Sequence, residues 1–142
     1  MLFAKVLMYL LMAHCLCDYS FQTDFIAKGK NPFNPLPGVP WYQCLFAHAM
    51  IHAGMVLLIT KSPWLALAEL VIHALTDYAK CAGWFGSLNA TGLASVDASK
   101  LSPNLRRILG ISPSDLPFNI DQAIHYGCKI LWAVLAVYFK VP

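Results

Sequence analysis

A chain of 142 residues has room for one domain, and a net charge of +3, spread along the sequence, excludes a nucleic-acid-binding surface. Its residues are 58% hydrophobic and only 12% charged, against roughly 45–50% and about 25% in soluble domains. Too few polar side chains remain to cover a water-facing surface, so the composition points to a polytopic membrane protein.

In chain order, the first helix is expected at about residues 2–27, stopping at Lys28-Gly29, where glycine can take a left-handed cap. Lys5 followed by the apolar run Val6 to Ala13 has the look of a signal peptide, and Cys15 invites a lipoprotein reading. His14 is not the small residue such a cleavage site needs, so the stretch is read as a retained membrane helix. Asn31 to Pro40, with four prolines and a glycine, reads as a stiff non-helical crossover. The second helix spans about 41–60, opening on the interfacial aromatic pair Trp41-Tyr42. Ser62 and Pro63 form an N-cap and first-turn pair for the third helix, about 63–82, which ends at Gly83.

Residues 83–118 form a long loop, expected to fold as a cap over the bundle. It would contain one short helix over Asn104–Leu109 with Arg106 and Arg107 exposed, and a further turn at Ser112-Pro113-Ser114-Asp115. The fourth helix is expected at about 119–140. Four helices of about 20 residues, rising 1.5 Å each, match a hydrocarbon core of roughly 30 Å. The fold expected is therefore all-α: a four-helix up-down membrane bundle with a long folded loop between helices three and four. Lys28, Lys30, Lys100, Arg106 and Arg107 against Lys5, Lys61 and Lys140 place the first and third loops in the cytoplasm and both termini outside.

The five cysteines, Cys15, Cys17, Cys44, Cys81 and Cys128, are odd in number, form no C-x-x-C pair and read as small apolar residues rather than disulfides. The informative residues are the polar ones inside the oily helices. Helix one carries His14, Asp18 and Gln22 in successive i, i+4 steps towards its C-terminal end. Helix two carries His48 and His52 in its first half; helix three carries His73, Asp77 and Lys80 near its end, with Glu69 one turn deeper; helix four starts with Asp121, Gln122 and His125. Residues four apart share a helix face. In an up-down bundle the ends of helices one and three meet the starts of helices two and four, so all five histidines gather at one end with three aspartates.

Imidazole and carboxylate at that spacing suit a divalent transition metal: zinc first, with iron, manganese or nickel also possible. The ligand pool is His14, Asp18, His48, His52, His73, Asp77, Asp121 and His125, enough for one ion with supporting partners or for two ions. Plainer readings stand beside this one. His48 and His52 also suit hydrogen bonding between membrane helices. Asn119 with Gln122 reads as a capping box, and Asp121 suits the first turn of a helix. Lys80 could reach outward to the lipid interface, and Glu69 could pair with His73.

His14-Cys-Leu-Cys-Asp18-Tyr-Ser-Phe-Gln22, His73-Ala-Leu-Thr-Asp77-Tyr-Ala-Lys80 and Asp121-Gln122-Ala-Ile-His125 together resemble a family of small bacterial and phage membrane proteins catalogued as domain of unknown function 3307. The resemblance covers nearly the whole chain and implies a membrane location, expected to be the bacterial inner membrane, but no established reaction. More distantly the design is similar to membrane-bound metal-dependent hydrolases, which also gather His and Asp on short helical bundles.

The function expected is an integral-membrane metal-dependent hydrolase acting on a lipid or a lipid-linked phosphate or ester. Asp77 or Asp121 would serve as general base, and Lys80, with Arg106 or Arg107, would hold an anionic head group. Membrane lipids are the expected surroundings, and self-association is compatible with the sequence. The alternatives are a proton or metal-ion carrier and a phage or bacterial partner-binding membrane protein. The carrier needs polar residues through the whole membrane depth, whereas the far end of each helix is oily.

Overall fold

Turn chemistry explains where the helices begin and end. The computed structural model describes residues 2–85 and 115–139, and among these the chain is all-α, with no strand. Helix α1 (Leu2–Cys15) runs directly into a π-helical segment (Leu16–Phe21), and the backbone turns extended at Gln22. Thr23 then caps a short helix α2 (Asp24–Gly29) by accepting a hydrogen bond from the Ile26 amide at 3.4 Å. The first helix is thus not continuous to residue 27: a threonine cap followed by Asp24 restarts the chain as a new helix.

Gly29 does not take the expected left-handed conformation, since among the described glycines only Gly38 and Gly83 have positive φ. Its role is close approach. A Cβ at position 29 would lie 2.7 Å from Cys44 Sγ, so the glycine lets α2 press against the next helix. Asn31 opens the crossover by accepting from the Phe33 amide at 2.9 Å and the Asn34 amide at 3.3 Å.

Helix α3 (Trp41–Thr60) follows Pro40 and ends in a left-handed Lys61. Ser62 caps α4 (Pro63–Cys81) by accepting from the Leu65 amide at 3.4 Å, with Pro63 in the first turn, as its sequence indicates. The last helix, α5, covers Asp115–Tyr138. It begins earlier than the expected 119 because Pro117 falls in the first turn, where a missing N–H costs no intrahelical bond. Of the turn expected at Ser112–Asp115 only Asp115 is among the described residues, and it is the first residue of α5. The short helix at 104–109, Arg106, Arg107 and most of the expected cap lie outside the described residues.

The long helices pack α1 on α3 and α5, α3 on α4, and α4 on α5, while α2 and the π segment lean on α3. One end of this arrangement is apolar, built on Leu10, Val56, Leu65, Trp132, Ala133 and Ala136. The other end holds buried His14, His48, His52, His73, Asp77, Asp121 and His125. Large apolar side chains face outward on every long helix, among them Met12, Leu58, Leu75 and Val134. Among the described residues two segments, Leu2–Phe21 and Trp41–Thr60, are long and apolar enough to cross a membrane, with mean hydropathy 1.4 and 1.6.

Candidate metal centre

The i, i+4 pairs on α1, α3, α4 and α5 bring all five imidazoles together. His52 stacks on His73 with ring centroids 3.8 Å apart, and His73 stacks on His125 at 4.1 Å. His48 stands edge-on to His52 at 4.7 Å and to His73 at 5.0 Å, and His14 lies 5.1 Å from His52. Each of the five is about 1–2% exposed.

Among the described residues, two overlapping groups have metal-ligand dimensions. Asp18, His48, His52 and His73 each present a donor atom within 4.8 Å of the others, and so do His73, Asp77 and His125. In the first group Asp18 Oδ1 is 3.0 Å from His52 Nε2 and 3.5 Å from His48 Nε2. A tetrahedral ion with ligands at 2.0–2.1 Å separates neighbouring ligand atoms by about 3.3 Å, and these two distances bracket that value. Among the described residues His48 is buried with neither ring nitrogen hydrogen-bonded, and His73 Nε2 also makes no hydrogen bond. Each such orphan costs about 1–3 kcal/mol, which a cation accepting those lone pairs would remove. Three imidazoles and one carboxylate are a donor set suited to zinc.

The carboxylates divide by their counter-charges. Asp77 Oδ2 pairs with Lys30 at 2.5 Å, Asp121 Oδ2 with Lys80 at 2.7 Å, and Glu69 Oε1 with Lys129 at 2.5 Å. Among the described residues Asp18 meets no lysine; its partners there are histidines and Gln122, whose Nε2 donates to Oδ2 at 2.9 Å. Among the described residues the first group is therefore the one that lacks a fixed cation.

His14 and Asp121 stand beside the two groups rather than in them. His14 Nε2 lies 3.1 Å from Gln122 Oε1. A carbonyl oxygen can only accept, so this nitrogen carries the proton and supports Asp18 through the glutamine. Asp121 is well inside α5, past the first turn, so it is not an N-terminal cap. It meets Lys80, and its Oδ1 is 3.2 Å from His125 Nε2. His125 Nε2 is also 3.8 Å from Asp77 Oδ1. Gln122 likewise bonds into the cluster instead of closing a capping box. Gln22, the last member of the helix-one stripe, does not join: the helix stops at Phe21, and among the described residues Gln22 makes no hydrogen bond to the site.

Sequence reasoning missed two lysines. Lys30, read as a loop charge, is buried against Asp77, 47 positions away. Lys129, in the apolar stretch of α5, is 2% exposed and holds Glu69. A signal for Lys129 was available, since it lies one turn after His125 on the same face; none marked Lys30.

A family model described as "Protein of unknown function (DUF3307)" matches residues 6–141. No curated protein and no solved structure matches the chain.

Proposed function

From that match the chain belongs to the DUF3307 family, and we propose that it is a membrane-embedded, metal-dependent hydrolase whose ion sits among Asp18, His48, His52 and His73. The observation that carries the reading is the charge pattern: among the described residues, each of the three buried carboxylates, Glu69, Asp77 and Asp121, holds a lysine, while half-buried Asp18 meets histidines, with both ring nitrogens of His48 and Nε2 of His73 in the same group making no hydrogen bond. In this reading α1 with its π segment, α3, α4 and α5 all span the membrane. Oily side chains face lipid and polar ones face inward, as intramembrane ionisable groups require. The bacterial inner membrane is the proposed location.

A divalent ion held there would bring a bound water towards neutral acidity and polarise a scissile ester or phosphate. Asp77, 3.5 Å from His48 Nε2, is placed to take up a proton at Oδ1 or Oδ2. His125, between Asp77 and Asp121, can hold a proton between them. Once Asp77 is protonated, Lys30 is released to face an anionic group, and Lys80 on the rim, with its side chain 29% exposed, can do the same at Asp121. The second group, His73, Asp77 and His125, already carries Lys30 close by and is the weaker of the two cation positions. A lipid or lipid-linked phosphate or ester suits a site at one end of the bundle. The carrier alternative would need a polar path through the other end, which is closed by Leu10, Val56 and Trp132.

The test is metal content of detergent-purified protein by mass spectrometry. Wild type should retain about one transition-metal ion per chain and His73→Ala far less, with both equally helical. Wild-type protein that takes up no zinc, iron or manganese from a defined solution would refute the reading.

A further inference from the structure

Glu69 and Lys129 are buried, charged, and not used in the proposed chemistry. They lie at the floor of the polar cluster, where it meets the apolar core through Trp132. Glu69 Oε1 is 3.2 Å from His73 Nδ1 and 2.5 Å from Lys129 Nζ, and Oε2 accepts from Trp132 Nε1 at 2.6 Å. All four residues are no more than 4% exposed.

Lysine and tryptophan can only donate. Both oxygens of Glu69 therefore accept, and the Lys129 ammonium at 2.5 Å favours the ionised carboxylate. The remaining neighbour, His73 Nδ1, must then carry a proton to approach Oε1. A neutral imidazole protonated at Nδ1 has its lone pair at Nε2, and Nε2 is the nitrogen that faces the cluster without a partner, 3.9 Å from Asp77 Oδ2. A buried ion pair is by itself weak evidence of a stabilising role, because apolar residues of similar volume often replace one at no loss.

We infer that Glu69, held ionised by Lys129 and Trp132, is the positioning residue that fixes His73 in the Nδ1–H tautomer and so presents Nε2 to the cation site. The metal side of this inference rests on the proposed centre; the tautomer itself does not. Lys129 matters because a protonated Glu69 could donate to Nδ1 and reverse the tautomer. Outer partners of this kind orient ligand histidines, and their loss weakens metal binding about 10–100-fold.

The experiment uses the full chain in lipid nanodiscs, labelled with 15N-histidine, in the presence of a chelator. His73 resonances are assigned by their loss in His73→Gln. Wild type should show His73 protonated at Nδ1 and bare at Nε2. In the paired variant Glu69→Gln/Lys129→Met no charge is left unpaired. Its amide can accept from Trp132 and donate to Nδ1, so the Nε2–H form should appear, and zinc affinity should fall about 10–100-fold at unchanged helicity. Lys129→Arg should keep both the tautomer and the affinity. An Nε2–H His73 in wild type, or a paired variant with unchanged tautomer and zinc affinity, would overturn the inference. Wild type with the Nδ1–H tautomer but no zinc uptake would instead overturn the metal reading and leave the role of Glu69 standing.

Discussion

Replacing Lys30 with methionine removes the cation from Asp77 while keeping most of the side-chain volume. The two side chains are 8% and 3% exposed and the charges are 2.5 Å apart, so little water screens them. At an effective dielectric of about 20 the attraction is about 7 kcal/mol, largely offset by the cost of desolvating both ions. Losing one partner leaves the other buried and uncompensated, which costs about 3–5 kcal/mol. The nearest imidazole nitrogens, at 3.5 Å (His48), 3.8 Å (His125) and 3.9 Å (His73), are too far to replace the lysine at contact distance. Equilibrium unfolding in detergent micelles with a chelator should show this loss. A divalent ion in the cluster would then meet an extra uncompensated carboxylate. Zinc should bind Lys30→Met at least about tenfold more tightly than wild type, so saturating zinc should return about 1.4 kcal/mol or more of the deficit. A variant within about 1 kcal/mol of wild type in chelator would refute the buried-pair argument. An equal gain from zinc in both proteins would refute the coupling between Lys30 and the cation site.

Three further outcomes are expected. Asp18→Asn keeps the shape but removes the carboxylate charge. Since outer partners alone are worth about 10–100-fold, zinc affinity measured by equilibrium dialysis should drop more than about 100-fold, and an unchanged value would remove Asp18 from the ligand set. Gly29→Ala puts a Cβ 2.7 Å from Cys44 Sγ; this should cost about 1–3 kcal/mol, most of it recovered in Gly29→Ala/Cys44→Ala. Ser62→Ala removes the cap on the Leu65 amide and should cost about 1 kcal/mol without altering metal affinity; a large loss of affinity would show that the start of α4 and the site are coupled.

The site was legible in the sequence where it depends on helix periodicity. His48 with His52, His73 with Asp77 and His14 with Asp18 are each four apart, so each pair shares a face whatever the tertiary context. The antiparallel order of successive helices was enough to bring those faces to one end. The Ser62-Pro63 start of α4 was equally readable, because a cap is made within a few residues. Gln22 marks where periodicity misled: the stripe continues in the sequence, but Thr23 offers the backbone a cap and the helix ends first.

What only the tertiary structure decided is which partner each carboxylate meets. Lys30 reaches Asp77 from the residue following α2, and that helix comes close only because Gly29 has no side chain to hold it off Cys44. Lys129 reaches Glu69 across the α4–α5 contact. The π segment and the early start of α5 set the position of Asp18 and place Asp121 and Gln122 inside the site instead of at a helix cap. Helical spacing is local and repeats every few residues, so composition and pattern reveal it. Charge pairing between helices depends on their relative rotation and separation, and those are set by packing over the whole molecule.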